Sequence, residues 1–338
     1  MNIGGIVRIR VMYVDKPFKR VGTHSGKFHA DEVMATAILM ELFDLEVVRS
    51  RDPEELMGLD LIYDIGEGEF DHHQMDKRYR DSGTPYAACG LIWESFGRDV
   101  IRMYDGSLSD ENVDYIFHET DAMLIEGIDA ADNGLRTCRT IIPTFSITAV
   151  ISKLNPAWDD ETDENEAFWQ AVNIASVIFQ KTLKHKFSVV YAEEHVRKAY
   201  EERTVPELLV LDRPYPWNEI LYQIDEERKI VYVICPDHGQ YIVQTVRRRD
   251  GGYGDVKPLP LSWAGKRDGD LCAVTGVEDA VFCHSDRFIA GAGSLNGIMK
   301  LAELALAEPD EPEPEKADTG TLSALKRFFL SRRIRVVR

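Results

Sequence analysis

The stretch KRVGTHSGKFHADEVMATAILMELFDLEVVRSRDPEELMGLDLIYDIGEGEFDHH, residues 19–73, decides the fold. KRVGTH reads as a short strand ending in a turn, and beyond it Val33, Ala37, Leu39 and Met40 recur at helical spacing. A strand, a loop and a helix are expected in that order. LEVVRS and LDLIYDIG are apolar, β-branched runs separated by RDPEELMG, where Pro53 suits the first position of a helix. Strands alternating with helices imply a parallel sheet, because a parallel neighbour is reached only through a crossover connection. In such sheets ligands bind beyond the carboxyl ends of the strands. Those ends carry His24, Asp64 and a cluster at Asp71.

Outward from this segment, PYAACGLIWESFG and residues 110–131 read as helices. Between Pro156 and Pro206 there is neither Gly nor Pro, and Phe168, Val172, Ala175, Phe179 and Leu183 recur every three or four residues. One long helix or two is expected there. ELLVLD, KIVYVIC, QYIVQTV and AVFCH are strand-like, with turns at DHGQ and RDGGYGD. The expected fold is α/β, with a parallel-sheet N-terminal domain and a smaller α+β C-terminal lobe across a cleft. The expected boundaries are an N-terminal strand extension at 1–18, a main domain with its long linking helix at 19–203, the smaller lobe at 204–307, and a tail at 308–338.

The chain has 338 residues, about two domains at roughly 150 residues each. With 44% hydrophobic and 29% charged residues it can bury a core without disulfides. Asp and Glu outnumber Lys and Arg by 58 to 40, and the net charge of −18 argues against a passive nucleic-acid coat. Five cysteines, an odd number without CxxC spacing, indicate neither a disulfide framework nor a zinc ribbon. No run approaches the roughly 18 apolar residues of a membrane span. A soluble, cytoplasmic protein is expected. The tail changes from acidic and Pro-rich EPDEPEPEKAD to basic TLSALKRFFLSRRIRVVR, which suits contact with nucleic acid, a membrane surface, a partner or the protein itself.

The chemistry lies in four clusters. GTHSGKFHADE holds His24, His29, Asp31 and Glu32 at a strand end and a helix start. Asp64 ends an apolar run, where a carboxylate must be paired or coordinated to be tolerated. Asp71, His72 and His73 follow; two adjacent histidines point in different directions, so one can hold a metal while the other faces substrate. IDAADNG places Asp129 and Asp132 on one face of a helical turn. Imidazole and carboxylate are ligands for divalent cations, and together the clusters describe a two-metal site for phosphoester hydrolysis. Such ligation suits two Mn²⁺ or Mg²⁺ ions, with zinc also compatible.

The order GTHSGKFHADE, DPEEL, YDIGEGEFDHHQ and DAADNG resembles the DHH phosphoesterase superfamily, and more narrowly the melanocyte-proliferating-gene (Myg) family. The likeness continues through LNPAW, RPYPWNE, PLPLSWAGKRDGDL and TGVEDAVFCHSDRFIAG, covering roughly residues 19–307. It implies a DHH-type catalytic domain, a substrate-binding lobe, and 3′-to-5′ exonuclease action on RNA or short oligonucleotides. By the same resemblance His24, His29, Asp31, Asp64, His72 and either Asp129 or Asp132 hold the metals, and His73 contacts the scissile phosphate. Asp31, Asp64 and His73 are then the catalytic set. The chain departs from the pattern at His29, where an Asp is commoner, and at Ala292, where an imidazole is expected.

A phosphate substrate needs local positive charge. Arg247, Arg248 and Arg249, Lys266 and Arg267, and the run Lys77, Arg78 and Arg80 are candidates, as are Gly291, Gly293 and Ser294 at a helix start suited to an anion. Trp263 or Tyr253 is available to stack a base. Two other readings stay open: a phosphohydrolase of small molecules such as a cyclic dinucleotide or pyrophosphate, and a non-catalytic RNA- or partner-binding protein. The sequence is also compatible with a homo-oligomer.

Overall fold

The computed structural model describes residues 18–135, 145–248 and 254–309. The expected strand in IVRIRVMYV and almost all of the tail lie outside the described residues. The chain divides into two compact units, residues 1–192 and 193–338.

In the first unit the elements are β1 (Arg20–Thr23), α1 (Ala30–Leu42), β2 (Glu46–Arg49), α2 (Pro53–Leu56), β3 (Leu61–Ile62), α3 (Ala88–Tyr104), α4 (Asp110–Thr120), α5 (Glu126–Asp132), α6 (Ile147–Lys153) and the greater part of α7 (Glu164–Glu201). The sheet order is β2-β1-β3 and both pairings are parallel, with Val21 opposite Val47 and Leu61. The expected parallel sheet is therefore present. Because β1 is central, the chain crosses to one side for β2 and to the other for β3. That reversal puts the ends of β1 and β3 at the kind of switch point where open α/β sheets bind ligands.

Each helix forms for a local reason. Asp52 caps α2 by accepting the Glu54 N–H at 2.9 Å, with Pro53 at the first helical position. Ser109 caps α4 through the Asn112 N–H. Helix α1 is buried on all sides from Ala30 to Leu39 and packs against α3, α5 and α6. A helix so enclosed carries its polar first turn into the interior, and Asp31 and Glu32 are buried for that reason. The Pro-free segment is a single helix, α7, whose Phe168, Val172, Ala175, Phe179 and Leu183 join the core formed by Val21, Val33, Ile38 and Ile92. Trp93 links α3 to this core, stacked on Phe117 at 5.3 Å and edge-on to Phe179 at 5.6 Å. A π-helical turn, Asp121–Ile125, interrupts the helical course between α4 and α5.

The second unit holds β4 (Leu208–Val210), α8 (Trp217–Ile224), β5 (Tyr232–Asp237), β6 (Gln240–Thr245), α9 (Asp268–Thr275), β7 (Ala280–Cys283), β8 (Ile289–Ala292) and α10 (Leu295–Ala307). Its sheet order is β4-β5-β6-β8-β7, parallel at β4–β5 and antiparallel elsewhere. The strands read from the sequence are β4 to β7; α8, α9 and β8 were not anticipated. Ile298, Leu301, Ala302 and Ala305 of α10 bury against this sheet together with Trp263. Trp263 is 3% exposed and belongs to the core, so it is not available as a base-stacking platform. Tyr253 lies outside the described residues.

Candidate metal centre

Three loops at the carboxyl edge of the first sheet, together with the first turn of α1 and the end of α5, build the centre. His24 follows β1 and is buried, its Nε2 3.2 Å from Glu32 Oε1 and 3.2 Å from Asp64 Oδ2. Its Nδ1 lies 3.2 Å from the Ser25 carbonyl and 3.2 Å from Arg51 Nη2, so Nε2 is the ring nitrogen that faces the carboxylates. Asp64 follows β3 and adopts a left-handed backbone with φ of 59°, a strained conformation for a non-glycine residue. The Asp64 N–H donates to the Phe70 carbonyl, which returns the chain to DHH. His72 is also buried, with Nε2 3.2 Å from Asp132 Oδ2 and 3.6 Å from Asp64 Oδ1, and Nδ1 3.9 Å from Asp31 Oδ2. His29 is the exposed member, 4.0 Å from Asp132 Oδ1.

Ligand atoms within 4.8 Å of one another form three groups: His24, His29, Glu32 and Asp64; Asp64, His72 and His73; and His29, Asp31 and Asp132. Asp64 belongs to two of them and His29 to two. Asp31 Oδ1, Asp64 Oδ1 and His72 Nδ1 are buried without a hydrogen-bond partner. Orphaned acceptors of this kind are rare in a stable interior unless an ion satisfies them, and the donor set therefore fits divalent cations.

The electrostatics agree. Burial works against a charged His24, but hydrogen bonds and the charges of Asp64 and Glu32 outweigh it and push its pKa up to about 10. Burial, followed by the negative charges of Asp64 and Glu32, holds the Asp31 carboxyl well above the ordinary range. His72 is pushed down, by burial first. In the absence of a cation, protons perform part of the neutralisation.

His73 is turned outward, its side chain 64% exposed, with Nδ1 2.8 Å from Asp71 Oδ1. Asp71 also accepts the backbone N–H groups of Glu67 and His73. Burial favours the neutral acid, yet these hydrogen bonds hold the Asp71 carboxyl below its usual range. The two rings differ in burial, His72 facing inward and His73 outward, although both have a nitrogen near Asp64.

Asp129 and Asp132 part company. Asp132 reaches His72, whereas Asp129 is fully buried against Arg80, with Nη1 to Oδ2 at 2.7 Å, and accepts from the Cys89 thiol and the Gly90 N–H at 3.1 Å. Burial lifts Asp129 to about 6 against the opposing pull of Arg80. Arg80 also makes two 2.7 Å hydrogen bonds to Asp121 in the π-helical turn and lies over the Tyr86 ring. Arg80, read as a candidate for substrate phosphate, is thus committed to two carboxylates. Lys77 donates to Asn133 and Arg78 to Glu94.

Other candidates sit on the second unit. Arg247 pairs in a short bridge with Asp255, and Arg248 donates to the Asp255 carbonyl. Arg249 lies outside the described residues. Lys266 follows Trp263 in a turn, and Arg267 precedes α9 with its guanidinium near the Phe282 ring. Gly291 and Gly293 flank the end of β8, and Ser294 caps α10 through the Gly297 N–H at 3.0 Å. A Cβ on Gly297 would lie 2.1 Å from Asp279 Oδ1. The place beside this helix start is therefore taken by the chain's own carboxylate, which opposes a bound anion there.

Three residues of this neighbourhood were not chosen from the sequence. Glu32 lies in the quoted motif but reads equally as a helix-capping acid, and it does accept the His29 N–H at 2.8 Å. Asp71 was visible as the first letter of DHH. Arg51 gave no signal.

A buried carboxylate–imidazole centre at the carboxyl edge of a parallel sheet is the equipment of a metal-assisted hydrolase. Residues 20–306 match the sequence model of the MYG1 exonuclease group, described as an uncharacterised protein family (UPF0160). The chain is 31% identical over 330 residues to the MYG1 exonuclease of Mus musculus, covering 87% of each. It is 30% identical over 319 residues to a MYG1 protein of Schizosaccharomyces pombe, covering 86% of this chain and 98% of that one. Among solved structures, the pGpG-specific phosphodiesterase PggH of Vibrio cholerae aligns at a TM-score of 0.29 and 12% identity, over 86% of this chain and 97% of that one. The chain belongs to the MYG1 family, and it is an enzyme of the hydrolase class. Among the described residues no helix is long and apolar enough to cross a membrane.

Proposed function

We propose that the protein is a DHH-type, divalent-metal-dependent phosphodiester hydrolase acting as a 3′-to-5′ exonuclease on RNA or short oligonucleotides. The observation that carries this reading is the convergence of His24, Glu32, Asp64, His72 and Asp132 with buried acceptor atoms left unpaired. His24, Glu32 and Asp64 would hold one cation; Asp31, His72 and Asp132 would hold a second, with Asp64 shared and His29 at the rim. Mn²⁺ or Mg²⁺ suits this oxygen-rich set, and when bound it supplies a Lewis acid and a nucleophile active near neutral pH.

The chain's own residues supply the rest. His73 is oriented by Asp71, which accepts its Nδ1–H, and as an imidazolium it would donate Nε2–H to a phosphate oxygen. A cavity of about 400 Å³ opens beside His72, with Lys77, Arg78 and Tyr86 on its wall together with the acidic Glu67, Glu69 and Asp76, so a nucleotide entering it would need bound cations to offset those carboxylates. The name exonuclease carried by the mouse relative supports a chain end as substrate.

The test is release of mononucleotides from 3′- and 5′-labelled RNA and DNA with Mn²⁺ or Mg²⁺, beside a cyclic dinucleotide and pyrophosphate. Stepwise loss from the 3′ end of RNA is expected, abolished in Asp64→Ala and His72→Ala. Preferential turnover of the small phosphates would replace the exonuclease assignment. RNA binding without release of nucleotide under any metal would replace catalysis with a binding role.

A further inference from the structure

One guanidinium touches the centre and has been given no task. Arg51 stands on the loop after β2, where the Ser50 N–H donates to the Thr23 carbonyl at 2.9 Å and the Asp52 N–H donates to Ser50 Oγ at 3.0 Å. Its backbone is therefore strapped to the end of β1 on one side and leads into the capped start of α2 on the other. From this footing Arg51 Nε donates to the Ser25 carbonyl at 3.1 Å, and Nη2 lies 3.2 Å from His24 Nδ1.

The structural work at this edge is already carried by Arg49. Its guanidinium lies over the Phe168 ring at 4.5 Å, Nη2 donates to the Gly26 carbonyl at 2.6 Å and Nη1 to Asn165 Oδ1 at 3.0 Å. Arg49 thus holds the Ser25–Gly26 loop in place. Arg51 is exposed and, unlike Arg78 and Arg80, faces no carboxylate within ion-pair distance among the described residues. An exposed guanidinium with donors to spare therefore stands beside His24 at the rim of the centre.

We propose that Arg51 binds a non-bridging phosphate oxygen of the substrate, a deepening that rests on the phosphodiesterase reading above. Charge explains the need. Asp31, Glu32, Asp64 and Asp132 are four carboxylates around the centre, so two divalent cations would be balanced by the protein alone and leave no surplus for an anionic phosphodiester. A guanidinium at the rim restores that surplus, and its planar fork matches two phosphate oxygens at once. The consequence is selectivity for anionic phosphate esters over neutral esters of similar size.

Calorimetric titration of inorganic phosphate into the Mn²⁺-loaded full chain, wild type against Arg51→Ala and Arg51→Lys, tests this directly. Phosphate binding should weaken about 10- to 100-fold in Arg51→Ala, as loss of a charge-assisted hydrogen bond implies, and recover only in part in Arg51→Lys. Mn²⁺ binding to the metal-free variants should stay within about twofold of wild type, and KM for an oligonucleotide should rise more than kcat falls. Unchanged phosphate affinity overturns the assignment. So does a parallel fall in Mn²⁺ affinity, which would make Arg51 a support for His24 rather than a substrate contact. If the wild type hydrolyses no phosphodiester, the proposed function fails by itself, and the phosphate titration still decides the role of Arg51.

Discussion

Raising the pH should tighten binding of a divalent cation, because the cation has to evict a proton from His24. In the metal-free protein that imidazole, wedged between Glu32 and Asp64 at 3.2 Å from each, has its pKa pushed up to about 10. At pH 7 the proton is held about three pH units below its midpoint, so displacing it costs about 4 kcal/mol at ~1.36 kcal/mol per unit. The apparent association constant should then climb about tenfold per pH unit between pH 6.5 and 9, with about one proton released per ion from His24. The buried Asp31 carboxyl, held up by burial and by Asp64 and Glu32, releases a further fraction.

The assay is Mn²⁺ titration by calorimetry in paired buffers of different ionisation enthalpy, which counts protons directly. Stability of the metal-free fold should move the other way. A histidine whose folded pKa is raised stabilises the fold fully below its unfolded pKa of about 6.5, and that contribution is lost as the pH climbs toward 10. Urea midpoints of the metal-free protein should therefore fall from pH 6.5 to 9. Flat affinity with no proton release over that range would refute the reasoning, since His24 would then be neutral beforehand or would not be a ligand.

Three further outcomes are expected. Asp132→Ala should weaken Mn²⁺ binding by at least tenfold with little loss of stability, whereas Asp129→Ala should cost about 1–3 kcal/mol in urea unfolding, because buried Arg80 keeps Asp121 but loses its second carboxylate and the Gly90 N–H loses its acceptor, so the two aspartates separate on two instruments. Gly90→Ala places a Cβ 1.8 Å from Asp129 Oδ2, in an ion pair that has no room to retreat, and should destabilise by about 1–3 kcal/mol by the same measurement. His73→Ala, at a side chain 64% exposed, should leave the urea midpoint within about 0.5 kcal/mol of wild type while lowering kcat, and an unchanged kcat would remove His73 from the chemistry.

Much of the scaffold was legible because its signals are local. Pro53 behind a capping Asp52, the β-branched runs, and the unbroken stripe from Phe168 to Leu183 each depend on neighbours a few residues away. The second unit was less legible. Helix α8 begins behind the prolines of RPYPW, and β8 in RFIAGA is a short, glycine-containing strand that lies between its near neighbour in sequence, β7, and the distant β6. Trp263 shows the same limit: its residue type permits base stacking, and only its burial in the core assigns it to packing.

The sequence by itself determined that a parallel β–α unit would carry His24, Asp64 and His72 in the loops beyond its strands, since periodicity and turn chemistry place residues along one element. It could not choose between Asp129 and Asp132, which occupy neighbouring positions on the same turn of α5. The tertiary structure gives them different partners, packing Arg80 and Gly90 against Asp129 and placing Asp132 beside His72. It also brought Arg51 to His24 across 27 positions of chain. Both outcomes depend on distances between elements, set by how buried charge is neutralised in the folded interior, and no local pattern encodes them.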